Sequence, residues 1–216
     1  MEGNASFAVG HFALGYILAK LTGYAFNTRV NIPLVLVMSV IPDIDLVFHF
    51  VRHRGPFHSI VLATAFFVPV FFMWRKASLP YLVALLQHSL LGDFFIGGKT
   101  QLLWPLTPEI YGTDISITSP ISITLEWLLF ITATLVMLKT RDVRTFFRPN
   151  NSNLILVIPM LALLVPMFLL SPSPIPVALM PPHVVYLALF AISLMVDLSK
   201  RRLNLNSLRG LHKKVY

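Results

Sequence analysis

Among the side chains able to hold a metal ion or move a proton within the first 93 positions are His11, Asp43, Asp45, His53, His58, His88 and Asp93. In Ile41-Pro42-Asp43-Ile44-Asp45 the proline disfavours α conformation at the residue before it, so a helix is expected to end near Val40. In an extended stretch residues i and i+2 point the same way, which would let Asp43 and Asp45 present two carboxylates to one hard or borderline cation. Taken alone, that pair reads equally as a polar loop at a membrane interface. In His53-Arg54-Gly55-Pro56-Phe57-His58-Ser59 the Gly-Pro pair predicts a turn that brings His53 near a helix starting around His58. Neutral imidazoles beside the aspartate pair make an N/O donor set suited to zinc, iron or manganese. Arg52 and Arg54 add positive charge there; an arginine can grip a phosphate with two hydrogen bonds, or reach to lipid headgroups. His49 reads as a peripheral residue of the same region.

These residues lie in an unusual chain. Of its 216 residues 56% are apolar and 12% charged, a composition that predicts an all-α, polytopic transmembrane bundle. Seven apolar segments can be read: Ala5–Leu21, Ile32–Phe50, Ser59–Trp74, Leu79–Gly97, Ile121–Leu138, Leu154–Leu170 and Val184–Leu198. Residues 1–140 hold five of them and the candidate site, and residues 141–216 hold a two-helix hairpin and a basic tail within the same membrane domain. The opening Met1–Ser6 carries Glu2 and no basic residue, so the first segment is expected to stay in the mature protein rather than be cleaved as a signal. There is no cysteine, which excludes disulfides, thiolate ligands and thiol nucleophiles.

The basic residues predict the orientation. Lys139, Arg141, Arg144 and Arg148 crowd one connection, and Lys200, Arg201, Arg202, Arg209, Lys213 and Lys214 fill the tail. With Lys20, Arg29, Arg75 and Lys76 they place fourteen of the 17 basic residues on one side, against Arg52, Arg54 and Lys99 on the other. The positive-inside rule makes the larger group cytoplasmic, the N-terminus external and the uncharged Ser171–Pro182 connection an external hairpin. The net charge of +8 is then a topology signal and calls for no nucleic acid. The same reading puts the candidate ligands and Glu126 toward the external half. Ionisable groups at membrane depth are costly unless paired, metal-bound or hydrated, so their convergence marks a functional site.

In their order and spacing these motifs resemble the YdjM-type predicted membrane-bound metal-dependent hydrolases. The resemblance covers about the first 130 residues: Gly10-His11, Pro42-Asp43-x-Asp45, His53-Arg54-Gly55-x-x-His58-Ser59, the His88/Asp93 helix, Leu102-Leu103-Trp104-Pro105 and Glu126. The family pattern has the fourth-helix histidine four residues before the aspartate; here Ser89 holds that place and His88 lies five before Asp93. Five residues of regular α-helix leave the two side chains about 140° apart. Either a π-bulge around Ser89–Gly92 brings them together, or His88 is displaced and Asp93 works with the first three helices alone; the bulge is the reading preferred here. Phe57 stands where the family has threonine.

The resemblance implies a metal-dependent hydrolase akin to zinc-dependent phospholipase C. The expected site holds one or two divalent ions, zinc first and manganese or iron as alternatives, on His11, Asp43, Asp45, His53, His58, His88 and Asp93. A metal-activated water would attack, Arg54 would stabilise developing negative charge, and Glu126 would serve as general base or bridging carboxylate. A membrane lipid is the expected substrate, with phosphate-ester cleavage ahead of amide hydrolysis. The rival readings are a metal or proton transporter and a non-catalytic membrane protein with a structural metal site.

Overall fold

The computed structural model describes residues 7–47, 52–168 and 175–212, with side chains through residue 202. His49, the Met1–Ser6 leader, the Ser171–Pro174 part of the hairpin and the side chains of Arg209, Lys213 and Lys214 lie outside the described residues. Seven α-helices are present among those described: α1 (Ala8–Ala25), α2 (Ile32–Met38), α3 (Ile60–Trp74), α4 (Leu79–Gln87), α5 (Pro120–Thr140), α6 (Val157–Phe168) and α7 (Met180–His212). No strand longer than the isolated Thr100–Tyr111 bridge occurs among them.

Each apolar segment carries one of these helices. By length and composition four helical stretches are apolar enough to span, Ile60–Asp93, Pro120–Thr140, Asn151–Phe168 and Val177–Arg202, the first of them folded back on itself as α3 and α4. The second segment instead forms the seven-residue α2, which rises only about 10 Å. Asn31 caps it by accepting from the Leu34 amide at 3.1 Å, and the Ser39 hydroxyl folds back onto the Val35 carbonyl at 2.8 Å. Beyond it Ile41–Val47 is a 3₁₀ turn, not the extended stretch expected from Pro42. Proline excludes α conformation from the residue before it, yet its own fixed φ is compatible with a 3₁₀ turn, which the chain adopts here.

The bundle is organised around α1, whose residues Val9, Phe12, Ala13, Tyr16 and Ala19 are fully buried. Its closest partners are α4 and α5. Small residues permit that approach: a Cβ at Gly15 would collide with the Ser39 side chain, and one at Gly10 with the Glu126 carboxylate. α3 and α4 form a hairpin broken at Arg75, whose φ is 51°. The reversal returns the chain to its start, so that His58, just before α3, lies 3.1 Å from Asp93, just after α4.

Along α1, His11 and Lys20 are nine residues, roughly 13 Å, apart, and they mark two ends of the bundle. At the far end Lys20 pairs with Asp142 at 2.9 Å, which also accepts from the Tyr16 hydroxyl at 2.7 Å. The near end holds the candidate ligands.

Candidate metal centre

The loop before α3 folds around its glycine. Gly55 donates to the Arg52 carbonyl and His58 to the Gly55 carbonyl, both at 3.0 Å, which closes a 3₁₀ turn over Pro56–His58 and aims the His58 ring inward. Ser59 then fixes that turn to the rest of the fold. Its oxygen accepts from the Leu62 amide at 3.2 Å, capping α3, while its hydroxyl donates to the carbonyls of Leu102 and Trp104. The Leu-Leu-Trp-Pro run is therefore a brace for the histidine loop rather than a source of ligands. Gln101 adds to it, donating its amide to the Arg54 carbonyl at 3.0 Å.

After α4 the helix widens into a π turn over His88–Asp93, with the Phe94 amide bonded to the Ser89 carbonyl at 3.1 Å in the i→i+5 pattern. This is the bulge that the five-residue spacing asked for. It turns both side chains to one side, so that His88 Nε2 is 3.4 Å from Asp93 Oδ2.

Four donor atoms from three chain segments meet there. His58 Nε2 is 3.3 Å from His88 Nε2, 3.5 Å from Asp43 Oδ1 and 3.1 Å from Asp93 Oδ2. His88 Nε2 is 3.3 Å from Asp43 Oδ1 and 3.4 Å from Asp93 Oδ2. Donors bound tetrahedrally to one ion at about 2.0–2.1 Å must lie about 3.3–3.4 Å from one another. Five edges of the figure fall around that length. His58, His88 and Asp93 are fully buried.

The remaining candidates surround this quartet. Asp45 Oδ2 lies 3.2 Å from His58 Nδ1, the nitrogen opposite the one that faces Asp43, and its Oδ1 lies 3.0 Å from His53 Nδ1. The Arg54 amide also donates to Asp45, at 3.1 Å. Asp43 and Asp45 thus approach one imidazole from its two nitrogens, because on a 3₁₀ turn residues two apart diverge instead of pointing together. His88 Nδ1 donates to the Ser39 carbonyl at 2.8 Å, which fixes the proton on that nitrogen and leaves the Nε2 lone pair directed inward. His11 stacks on His88 with ring centroids 3.9 Å apart, in space that Gly92 leaves free. Arg54 Nη2 lies 3.3 Å from Asp93 Oδ1, and its guanidinium occupies the place where a Cβ at Gly97 would be. Arg52 is exposed.

Glu126 is buried on α5 against Gly10, one residue from His11. The guanidinium of Arg54 meets Asp93 rather than Glu126.

Two groups have donor atoms close enough to share an ion: Asp43, Asp45, His53 and His58 in one, and His11, His88 and Asp93 in the other. Their electrostatics favour a cation. With the imidazoles neutral, as metal ligands must be, three carboxylates face a single guanidinium, an imbalance of two negative charges in a buried setting that a divalent ion would cancel. Asp43 Oδ1 and both Asp93 carboxylate oxygens are buried without a well-aligned hydrogen-bond donor in the protein.

Two contributors were not read from the sequence. Ser39 acts through its carbonyl, which leaves no side-chain signature. Gly97 could have been suspected from the Gly97-Gly98 pair following Asp93, since paired glycines mark backbone that another group approaches closely.

A family model described as YdjM inner membrane protein matches residues 7–173, a stretch that contains all seven candidate ligands, Arg54 and Glu126. No curated protein and no solved structure matches the chain.

Proposed function

The chain belongs to the YdjM inner membrane protein family and is a multi-pass membrane protein, and on that footing we propose that it is a metal-dependent hydrolase acting on a phosphate ester of a lipid. The observation that carries this reading is the quartet of His58, His88, Asp43 and Asp93, spaced as ligands of one ion. A divalent ion bound there supplies a water acidified to near neutral pH and positive charge opposite a developing oxyanion. Zinc suits the N₂O₂ set, and manganese or iron would accept the same donors.

The protein's own residues account for the rest. Asp45 and the Ser39 carbonyl hold the two imidazoles in the tautomer that frees Nε2. Arg54 braces Asp93 and carries the positive charge nearest the ligands, from which it can donate to a phosphate oxygen. Glu126, beside Gly10, is a carboxylate for proton transfer on the His11 side of the centre. The site end faces outward in this reading, because Lys20, Asp142 and the basic Lys139–Arg148 connection gather at the other end.

One observation favours a second reading, a structural metal centre: four protein donors already complete a tetrahedral shell, whereas catalytic zinc keeps a position open. An ion that accepts five or six ligands would leave room for water on the same quartet. The test is metal analysis of the purified protein, followed by release of phosphate from phosphatidic acid vesicles and of glycerol phosphate from phosphatidylglycerol vesicles, with and without chelator. Chelator-sensitive release that disappears with the metal in Asp43→Ala supports the hydrolase. Stoichiometric metal with no hydrolysis of phosphate-ester or amide lipids supports the structural centre.

A further inference from the structure

We propose that the cleft between α3 and α4 binds one acyl chain of a membrane lipid, with the lipid's head at the metal centre. This rests on the hydrolase reading above and names how its substrate is held. The cleft has a volume of about 890 Å³, within the range of ligand-sized cavities of about 300–1,000 Å³. One wall is the stripe Ala63, Phe67, Val70 and Trp74 on α3, and the facing wall includes Tyr81 and Leu85.

Three features identify the occupant. The first is continuity with the lipid-facing surface: Phe66, Phe72 and Met73, on the same helix, are all more than 60% exposed, and in a spanning helix such side chains meet hydrocarbon. A chain can therefore enter sideways from the bilayer without crossing water. The second is the mouth. Pro42 and Ile44, which flank Asp43, and Phe57, which precedes His58, all line the cleft. The residues at the end of the apolar slot are thus sequence neighbours of two ligands, so the slot ends beside the segments that carry Asp43, Arg54 and His58. The third is length. The fifteen residues of α3 rise about 22 Å, longer than the roughly 15 Å half-thickness of the bilayer hydrocarbon, so a chain from one leaflet fits lengthwise. Polar groups, Arg29 and Asn31, come only at the far end, where Asn31 donates its amide to the Tyr81 hydroxyl at 3.0 Å.

The slot explains why Phe57, where the resembled family has threonine, suits this chain: an aromatic side chain at the mouth extends the apolar wall up to the centre.

The experiment compares wild type, Ala63→Trp, which fills the slot, and Phe72→Trp, which adds the same group to the lipid-facing side. Palmitoyl-oleoyl phosphatidylglycerol is added to the detergent-purified proteins, and bound lipid, metal content and oligomeric state are read by native mass spectrometry. Bound lipid in wild type and Phe72→Trp and its loss in Ala63→Trp, with metal unchanged in all three, is the expected result. Equal lipid retention in Ala63→Trp overturns the proposal, as does a wild-type dimer that Ala63→Trp converts to monomer, since a second copy would then occupy the cleft. If Ala63→Trp fails to fold, Val70→Phe makes the same comparison with a smaller obstruction. Lipid retained in the slot without any hydrolysis sinks the hydrolase reading alone; hydrolysis of a short-chain soluble phosphate ester by wild type and Ala63→Trp alike, with lipid never retained, sinks the slot alone.

Discussion

The two ends of α1 both hold buried or half-buried aspartates, and they treat them in opposite ways. At the Lys20 end, Asp142 accepts from the Tyr16 and Thr140 hydroxyls at 2.7 and 2.8 Å and pairs with Lys20. Asp197 likewise accepts from the Asn150 amide at 2.8 Å and lies near Arg201. At the His11 end, Asp43, Asp45 and Asp93 share two imidazoles of the inner cluster, His53 and one arginine. Burial does not separate the two cases, because Asp197 is 4% exposed and Asp45 2%. The supply of donors does: at one end each acid has a hydrogen-bond donor and a cation of its own within 4 Å, and at the other three acids share two imidazoles, His53 and one arginine. A deficit of that kind points to a cation, whereas a satisfied acid points to architecture.

The comparison breaks most readily at Asp93, which touches both imidazoles and Arg54. Asp93→Ala is expected to bring metal stoichiometry from one toward zero and hydrolysis to background, as elemental analysis and a phosphate-release assay would report. Full metal occupancy in that variant would place the ion elsewhere. Asp45→Asn tests the distinction between a ligand and the group behind it. Because Asp45 lies on the outer nitrogen of His58, metal affinity should fall about 10–100-fold and the site should still load at high metal, the range for losing a partner of a ligand. Asp43→Asn should not load under the same conditions; identical titration curves for the two variants would remove the distinction.

Gly97→Ala sharpens the role of Arg54. The residue has φ 97° and gives its Cβ space to the guanidinium, so the substitution should cost about 1–3 kcal/mol of stability and lower hydrolysis while metal content holds. Thermal unfolding in detergent together with metal analysis separates these effects, and a simultaneous loss of metal would mean that Arg54 also positions Asp93. The smallest effect belongs to the opposite end. Asp142→Asn keeps two of the three contacts and leaves a partly exposed Lys20 unpaired, so a loss of at most about 1 kcal/mol is expected, with metal binding and hydrolysis unchanged.

Much of the cluster was legible because its residues are expensive where they stand. A histidine and an aspartate inside apolar segments need partners, and the odd spacing of His88 and Asp93 converts into a helix geometry by itself. The Gly-Pro turn before His58 was readable for a similar reason, since those two residues restrict the backbone strongly. Asp43 and Asp45 were harder. Their convergence on His58 depends on a 3₁₀ turn and on where a loop eight residues later returns, and the local pattern after Pro42 permits both that turn and an extended stretch. Apolar composition also could not give the length of α2, because a short helix packed in the bundle and a long lipid-facing one use the same residues.

The π turn has a consequence for chain length. It fits one residue more between His88 and Asp93 than an α-helix joining the same positions would need, and the surplus is contained between two residues whose donor atoms are fixed. Leu90 and Leu91 inside it are exposed, so a residue could be lost there without touching the quartet. In an uninterrupted α-helix the same change would rotate everything downstream by about 100° and carry Asp93, Gly97 and the Leu102–Trp104 brace out of place. The turn is a joint at which the loss of one residue would restore α-helical spacing between two fixed donors.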